Sequence, residues 1–387
     1  MDVPTFEELF RQLKFNMWLF GILFDDYEIA FRFYCFVLSM FSMLVEETSF
    51  FISRYAPENF LELTQLAPCL GIALLSVLKI LPIAAKRQKI SVLTKSLNKL
   101  YNAILTDPEK REVVKKEILL VHTIIKYFFI LNTILITVYN FAPLAFMLYA
   151  YLKHNRIEYK VPYAVSLPFA LDSYPKWFIV YFHSIISGFV CILFVTSVDA
   201  LYCMLTSQIC SNFTVISNEI LHLDESGVHR LKDLIIYHQQ VLKLSDDLEE
   251  IFKLVNLFNV VVGSTEICAL GFNITTGDLG HLPGYILFLS SVLLQILLMS
   301  VFGEKLIRES TKVGDAAFNC KWYDMDLKYK KMIVFIIARS QKQQQLTAYK
   351  FSVICHRSFT KIISTSWSYF TILRTVYTAP PETVQLE

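Results

Sequence analysis

An all-α membrane protein with seven transmembrane helices is the fold class that three features of this sequence predict. Hydrophobic residues make up 55% of the 387 positions and charged residues only 18%, whereas a soluble domain carries about 25% charged residues. Seven stretches are long and apolar enough to span a bilayer, which takes about 20 residues. Lys and Arg are concentrated in alternate connecting segments. These features exclude a soluble enzyme, a disordered scaffold and a nucleic-acid-binding module.

The seven predicted spans differ in how apolar they are. The first six are rich in aliphatic residues and Phe, whereas the seventh contains several Ser and Thr residues and Arg374, so a hydropathy scan can miss it. The predicted spans are 30–52, 63–85, 127–152, 177–205, 254–276, 282–302 and 360–377. The N-terminal segment has no basic stretch before an apolar one, so we expect the first span to direct insertion without a cleaved signal peptide.

The distribution of positive charge predicts the orientation of the chain. Segments 1–29, 86–117, 207–253 and 304–350 together carry 25 of the 36 Lys and Arg residues, whereas the alternate segments carry 6. Positively charged loops stay in the cytoplasm. The prediction is therefore a cytoplasmic N-terminus and, after seven spans, an extracellular C-terminus, which is the reverse of a G-protein-coupled receptor.

The segments between the spans carry patterns of their own. Apolar residues recur at helical spacing in 86–116, 228–258 and 304–356. We expect the helices to extend there and to pack as a cytoplasmic bundle or subunit interface; solvated loops are the alternative. Segment 153–176 contains three prolines and several aromatic residues. It is predicted either to fold over the outer mouth of the bundle as a lid or to form an interfacial aromatic belt.

The sequence contains none of the common motifs of catalytic or cofactor sites. The eight cysteines lie mostly in apolar runs without metal-type spacing, which predicts neither a metal site nor a disulfide framework. We therefore expect no enzymatic activity and no cofactor. Inverted repeats, which are typical of many transporters, are not visible. Glycosylation motifs begin at Asn212 and Asn273, and the predicted orientation places only Asn273 outside.

Ionisable residues inside predicted spans are candidates for function because they are costly in a bilayer. His183 and Asp199 lie in the fourth span and Glu266 in the fifth. Each has two interpretations, a paired residue of the bundle interior or a ligand contact. His183 is the strongest candidate for ligand contact, since it lies at a depth that a small ligand entering from outside can reach.

The seventh predicted span has two polar stripes. Hydroxyl side chains share one helical face at Ser364, Ser368, Thr371 and Thr375. An overlapping stripe contains Lys361, Thr365, Ser368, Ile372 and Val376. Helix packing through small hydroxyl residues is one interpretation. The other is a water-lined path with an apolar constriction at Ile372 and Val376, which requires several chains around a central axis.

The last third of the chain carries sequence patterns of a known family. These are Phe302-Gly-Glu-Lys-Leu-Ile-Arg-Glu-Ser, Val313-Gly-Asp-Ala-Ala-Phe, Lys321-Trp-Tyr, Arg339-Ser-Gln-Lys and Ser366-Trp-Ser-Tyr-Phe-Thr-Ile-Leu-Arg-Thr. In this order and spacing they resemble the insect odorant receptor family. The last of these patterns, near the C-terminal end of the chain, fits odorant receptors better than the related gustatory receptors. Segment 207–253 is much shorter than the matching loop of the shared co-receptor, so the resemblance indicates a ligand-tuning subunit.

The resemblance implies an odorant-gated, non-selective cation channel. This channel is a heterotetramer with the co-receptor subunit in the plasma membrane of olfactory sensory neuron dendrites. The resemblance places Ile372 and Val376 at the apolar gate. It also implies a split seventh helix whose inner half, at about Lys342–Arg357, lies in a cytoplasmic anchor domain. The expected division is a bundle over 1–303, an anchor segment over 304–359, and a pore helix with a short extracellular tail over 360–387.

A small, mostly apolar volatile molecule is the expected ligand, bound in the outer half of the bundle between the second and sixth spans. The predicted lining consists of Leu66, Leu70, Thr137, Asn140, Phe141, Leu144, Ile179, His183, Ile186, Ser187, Tyr285 and Phe288. A metabotropic chemoreceptor of the G-protein-coupled type is the main alternative function, and a small-molecule transporter is the next. The orientation of the N-terminus distinguishes the two functions: it is extracellular in a metabotropic receptor and cytoplasmic in the channel.

Overall fold

The computed structural model describes residues 3–22, 29–155, 159–167, 169–223, 228–276 and 280–378. Ten α-helices and one short antiparallel strand pair account for most of these residues. The helices are α1 (Phe6–Leu19), α2 (Phe31–Ser53), α3 (Phe60–Ala85), α4 (Arg87–Thr106), α5 (Pro108–His154), α6 (Tyr174–Leu221), α7 (Leu231–Thr276), α8 (Leu282–Asn319), α9 (Leu327–Ser340) and α10 (His356–Thr378). The strands are β1 (Thr347–Ala348) and β2 (Ser352–Val353).

Each of the seven predicted spans is a helix, and the chain is a multi-pass membrane protein. In the part of the chain that the structure describes, six helices are long and apolar enough to cross a bilayer: α2, α3, α5, α6, α7 and α8. The seventh, α10, is not among them because its hydroxyl and basic residues lower its hydropathy, as the sequence predicts. We call the end of the bundle that carries segment 159–167 the upper end and the end that carries α1, α4 and α9 the lower end.

Three helices are much longer than a membrane is thick. α5, α6 and α7 contain 47, 48 and 46 residues, which corresponds to about 70 Å at 1.5 Å per residue, against about 30 Å of hydrocarbon. The predicted helical extensions are therefore confirmed for 86–116 and 228–258, whereas in 304–356 the helices end at Ser340. The start of α5 is defined by its sequence: Asp107 accepts a hydrogen bond from the Glu109 amide at 3.0 Å, and Pro108 occupies the first helical position.

The N-terminal helix α1 was not among the sequence predictions. Its first turn is closed by a capping box, in which the Thr5 amide donates to Glu8 Oε2 at 2.7 Å and the Glu8 amide donates to Thr5 Oγ1 at 3.3 Å. Its buried face begins with Phe6 and Phe10, and Phe6 packs edge to face against Tyr101 of α4. The Thr5–Glu8 spacing, followed by apolar residues four apart, is the signal that could have predicted this helix.

Segment 342–355 differs from the expectation that came with the family resemblance. A helix was expected over about Lys342–Arg357, but the described chain there contains the β1–β2 pair, joined by Tyr349 and Lys350 in left-handed conformations. The helical expectation was wrong because the backbone groups of this segment are satisfied elsewhere. The Thr347 amide donates to Glu249 of α7 at 2.8 Å, and the Tyr349 amide donates to a backbone carbonyl of α7 at 3.0 Å.

The helix of this region is α9, which ends at Ser340 and packs against the lower part of α8. The expected boundaries after residues 303 and 359 fall inside α8 and α10, so both helices continue across them.

The centre of the bundle is α6. Nearly every side chain from Val190 to Ile216 is buried, because α3, α5, α7 and α8 pack around this helix. Both glycosylation motifs lie in the packed interior. The Asn273 amide donates to the Thr64 carbonyl at 2.8 Å, and Asn212 is hydrogen-bonded within α6 and to Tyr237. Neither side chain is available as an acceptor in this packing.

Candidate functional site

A small apolar cavity lies among α2, α3, α5, α6 and α8 beneath segment 159–167. Its volume is about 40 Å³. We call it the inner cavity, and its lining consists of Met43, Cys69, Ile72, Ala73, Leu135, Ile136, Tyr139, Tyr163, Gly188, Cys191, Ile192 and Phe288. Polar atoms form almost none of its surface, so an apolar ligand body can bind there without stripping water from polar groups.

Segment 159–167 closes the inner cavity from above. Tyr163 is buried, and its hydroxyl donates to Asn140 Oδ1 of α5 at 2.8 Å. Gly188 of α6 permits this position, because a Cβ there would lie 2.2 Å from the Tyr163 hydroxyl oxygen. Burial raises the pKa of Tyr163 well above its ordinary value, with smaller contributions from Cys69, Cys191 and Glu47. Of the two predictions for this loop, Tyr163 therefore fits the lid.

A larger, wetter cavity of about 600 Å³ opens at the upper end, between α3, α5, segment 160–164 and the start of α8. We call it the vestibule. Cys69, Tyr139 and Tyr163 line both the vestibule and the inner cavity, so these three side chains separate the two spaces. The Tyr139 ring packs edge to face against Phe288 with centroids 5.7 Å apart. A ligand that passes from the vestibule to the inner cavity must displace one of these aromatic rings.

The structure brings only some of the predicted ligand-contact residues to these spaces. Leu66 and Tyr285 line the vestibule, Phe288 lines the inner cavity, and Asn140 holds the lid tyrosine. Leu70 is half-buried and lines neither space. The remaining apolar and hydroxyl candidates on α5 and α6 line neither space and are exposed on the outside of the single chain: Thr137, Phe141, Leu144, Ile179 and Ile186. The face of α5 that lines the inner cavity carries Leu135, Ile136 and Tyr139 instead.

His183 and Ser187 join α6 to α2. His183 Nε2 lies 2.9 Å from the Ser42 hydroxyl, and its Nδ1 lies 3.8 Å from the Glu46 carboxylate. Ser187 and Ser39 hydroxyls lie 2.7 Å apart. Neither His183 nor Ser187 lines the inner cavity or the vestibule, so the paired-residue interpretation describes their contacts.

Asp199 is the centre of a buried polar network that connects four helices. Both of its carboxylate oxygens accept from Lys79 Nζ of α3 at 2.8 Å. Asn259 of α7 donates to the same carboxylate at 3.1 Å and Gln295 of α8 at 2.8 Å. Asp199 is thus a paired residue of the bundle interior.

Two other carboxylates in the bundle have no such partners. Glu47 of α2 and Glu266 of α7 are buried, and none of their oxygens has a hydrogen-bond partner in the described part of the chain. Glu266 packs against Gly71 of α3, where a Cβ would lie 2.7 Å from its Oε1. Glu266 was a candidate from the sequence, and Glu47 is one of two adjacent carboxylates near the end of the first predicted span.

Helix α10 turns one narrow face to the bundle. Ile362, Ser366 and Phe370 are buried, and the Ser366 hydroxyl donates to the Ser264 carbonyl of α7 at 3.0 Å. The predicted pore residues Lys361, Thr365, Ser368 and Ile372 are all exposed on the single chain. Val376 belongs to the same helix, and its side chain lies outside the described part of the structure.

Comparison with known proteins identifies the family. The family model described as 7tm Odorant receptor matches residues 59–367. Odorant receptor 85b of Drosophila melanogaster is 28% identical over 341 residues, which cover 86% of this chain and 87% of that protein. Odorant receptor 67c of the same species is 25% identical over 326 residues, which cover 80% and 79%.

Among solved structures, the insect olfactory receptor OR5 from Machilis hrabei in complex with eugenol superposes with a TM-score of 0.82 at 14% identity, covering 96% of this chain and 99% of that one. This similarity shows the fold. The predicted resemblance and the seven-helix fold are thereby confirmed, and the chain belongs to the insect 7tm odorant receptor family, a family of chemoreceptors rather than enzymes.

Proposed function

We propose that this chain is a ligand-tuning subunit of an odorant-gated, non-selective cation channel. It assembles with the odorant receptor co-receptor as a heterotetramer in the plasma membrane of olfactory sensory neuron dendrites, with its N-terminus in the cytoplasm. The observation that carries the proposal is the uncovered polar face of α10, which exposes Lys361, Thr365 and Ser368 in the single chain.

Such a face is unfavourable against lipid, because its polar groups gain no partners there. It is favourable against a water-filled path. One helix cannot enclose a path, so several subunits must each place one such helix around a central axis. Ile372 lies on the exposed face, with 57% of its surface accessible, and supplies the apolar constriction together with Val376.

The packing offers a direct connection between the inner cavity and α10. Phe288 of α8 lines the cavity and shares a hydrophobic cluster with residues of α7 and with Ile362 of α10. Phe370 of α10 packs over Gly271 of α7, with the nearest ring atom 3.7 Å from the position of a Cβ. A ligand that binds the open arrangement of α7 and α8 more tightly than the closed one shifts α10 toward the open state.

The test of this function is co-expression with an odorant receptor co-receptor and current recording during application of a broad odorant panel. We expect odour-evoked cation current that appears within the mixing time and needs no second messenger. Full surface expression of both subunits without any odour-evoked current would refute the tuning-subunit role. An extracellular N-terminus in an epitope-accessibility assay would favour a metabotropic receptor instead.

The gate is tested by truncation of its apolar side chains. Ile372→Ala with Val376→Ala is expected to raise the current without ligand, because a wider and less apolar constriction stays wet. Ile363→Ala is the matched control, since nine residues at 100° each place it on the opposite side of the same helix. Unchanged basal current in the double variant, or an equal rise in the control, would contradict the gate role.

A further inference from the structure

The vestibule and the inner cavity differ in the ligands that they can hold. A cavity of about 150 Å³ is enough for one benzene molecule. The inner cavity has a volume of about 40 Å³ and the vestibule one of about 600 Å³. In the observed packing a six-membered ring therefore fits the vestibule, whereas the inner cavity is too small for it.

Aromatic side chains of α5 and of the start of α8 line the vestibule. Tyr139 and Phe146 belong to α5, and Tyr285 belongs to α8. The ring of His281, which also lines the vestibule, has its centroid 5.7 Å from that of Phe146 and 6.3 Å from that of Tyr285. Aromatic rings at such distances attract one another beyond the effect of buried area. A planar aromatic ligand is therefore held better here than a saturated ring of the same size.

The Tyr139 hydroxyl is a hydrogen-bonding group that faces the vestibule. Its oxygen lies 3.7 Å from the position that a Cβ on Gly284 would take, and Gly284 lines the vestibule. Polar atoms form almost none of the surface of the inner cavity, so the hydroxyl does not point there. Within the described residues it has no hydrogen-bond partner, and it is not sealed from solvent. The hydroxyl of Tyr163, by contrast, already donates to Asn140.

The charged side chains of the vestibule do not select an ion. Glu62 and Lys160 both line it, and both are exposed. A charged ligand meets one like and one opposite charge there, and water and salt screen both interactions. The Tyr139 O–H group, in contrast, selects a ligand with an acceptor oxygen. A carbonyl oxygen meets that need without bringing a donor of its own that would require a further partner.

We propose that the vestibule is a subsite for small neutral aromatic carbonyl compounds, and that Tyr139 determines specificity by donating a hydrogen bond to the carbonyl oxygen. The proposal rests on the proposed function, because it names the class of ligand that opens the channel. The packing connects the subsite with the pore helix. Tyr139 and Tyr285 belong to the hydrophobic cluster that includes Ile362 of α10. A ligand that moves the Tyr139 ring therefore acts on the cluster against which α10 packs.

The test measures thermal stabilisation of the purified full-length protein in detergent, so it does not depend on channel activity. The probes are acetophenone and α-methylstyrene, which have the same planar shape and differ in a carbonyl oxygen against a methylene group. The quantity compared between variants is the ratio of the two concentrations that give half-maximal stabilisation. Partitioning of the probes into detergent changes this ratio equally in every variant. Cyclohexyl methyl ketone, a third probe with a saturated ring, is expected to stabilise the protein less than acetophenone.

Three variants locate the effect. Tyr139→Phe is expected to shift the ratio about two- to tenfold against acetophenone, the range that one hydrogen bond supports. Tyr149→Phe is the matched control on the same helix, because Tyr149 is exposed and lines neither space, and it is expected to keep the ratio. Ala142 lines the vestibule but not the inner cavity. Ala142→Trp therefore fills the subsite and is expected to weaken stabilisation by both probes about tenfold or more.

An unchanged ratio in Tyr139→Phe would overturn the proposal. Absence of stabilisation by acetophenone would overturn it too, and so would acetophenone stabilisation that survives Ala142→Trp. If Tyr139→Phe does not fold, Ala142→Trp decides.

Current recording with the co-receptor separates this proposal from the channel function. Odour-evoked currents that neither Tyr139→Phe nor Ala142→Trp changes would overturn the subsite and leave the channel function standing. The expected ratio shift in the purified protein, combined with no odour-evoked current from the unsubstituted chain, would support the subsite and refute the channel function.

Discussion

Replacement of Asp199 by leucine should destabilise this receptor more than replacement of its partner Lys79 by methionine. The two side chains are 3% and 0% exposed, and they face each other at 2.8 Å. They differ in how many other partners they have. Asp199 also accepts hydrogen bonds from Asn259 and Gln295, whereas the hydrogen bonds observed for the Lys79 ammonium both end on Asp199.

The structure sets the expected magnitudes. Asp199→Leu leaves a buried ammonium group without its acceptor, which costs about 3–5 kcal/mol. It also removes one acceptor from each of the Asn259 and Gln295 amides, which costs up to about 1–3 kcal/mol each, while Asn259 still donates to Met299 Sδ and Gln295 to Asn259 Oδ1. Lys79→Met leaves a carboxylate that keeps both amide donors, so its cost stays at about 3 kcal/mol. The double variant loses the uncompensated charge, and only the acceptor lost by each of the two amides continues to destabilise it.

The assay is thermal unfolding in detergent, followed by a fluorophore that reacts with thiols as they become accessible. The described structure has five buried free cysteines to report unfolding: Cys191, Cys203, Cys210, Cys268 and Cys320. We expect the midpoint of Asp199→Leu to be the lowest of the series and the added Lys79→Met to raise it. A double variant less stable than Asp199→Leu, or Lys79→Met as the most destabilised protein, would refute the reasoning.

Three further substitutions test the packing along α8 and at the lid. Gly303→Ala places a methyl group 2.2 Å from the Ile354 carbonyl oxygen, so we expect a loss of about 3 kcal/mol or more and a lower unfolding midpoint. At Gly284 the nearest atom lies 3.5 Å from the position of an added Cβ, so Gly284→Ala should leave the unfolding midpoint unchanged or raise it. Equal changes of the midpoint in the two glycine variants would contradict the predicted clash at Gly303. Tyr163→Phe removes the donor to Asn140 and should cost about 1–3 kcal/mol, which an unchanged midpoint would contradict.

Hydropathy and helical periodicity were enough to predict the helices, because a spanning segment must satisfy its own backbone groups in lipid. The predicted starts of the second and sixth spans lie within three residues of Phe60 and Leu282, where α3 and α8 begin. Segment 347–353 was not predictable in this way. Its backbone partners are Glu249 and Lys253 of α7, about a hundred residues earlier in the chain.

The predicted ligand-contact residues show what the sequence of a single helix cannot determine. Thr137, Phe141 and Leu144 follow helical spacing on α5, and so do Leu135 and Tyr139 on the neighbouring face. Both faces of α5 are apolar, since one faces lipid and the other faces the protein. Periodicity alone therefore cannot say which face lines the cavity.

The sequence by itself determined that this protein is a seven-helix membrane protein of the odorant receptor family, because composition, span length and local motifs are properties of single segments. Only the tertiary structure decided which ionisable groups are paired. Asp199 meets Lys79 across two helices, while the buried Glu47 carboxylate has no hydrogen-bond partner among the described residues. The physical reason is that burial and pairing depend on what neighbouring helices place around a side chain, and that placement is a property of the assembled bundle.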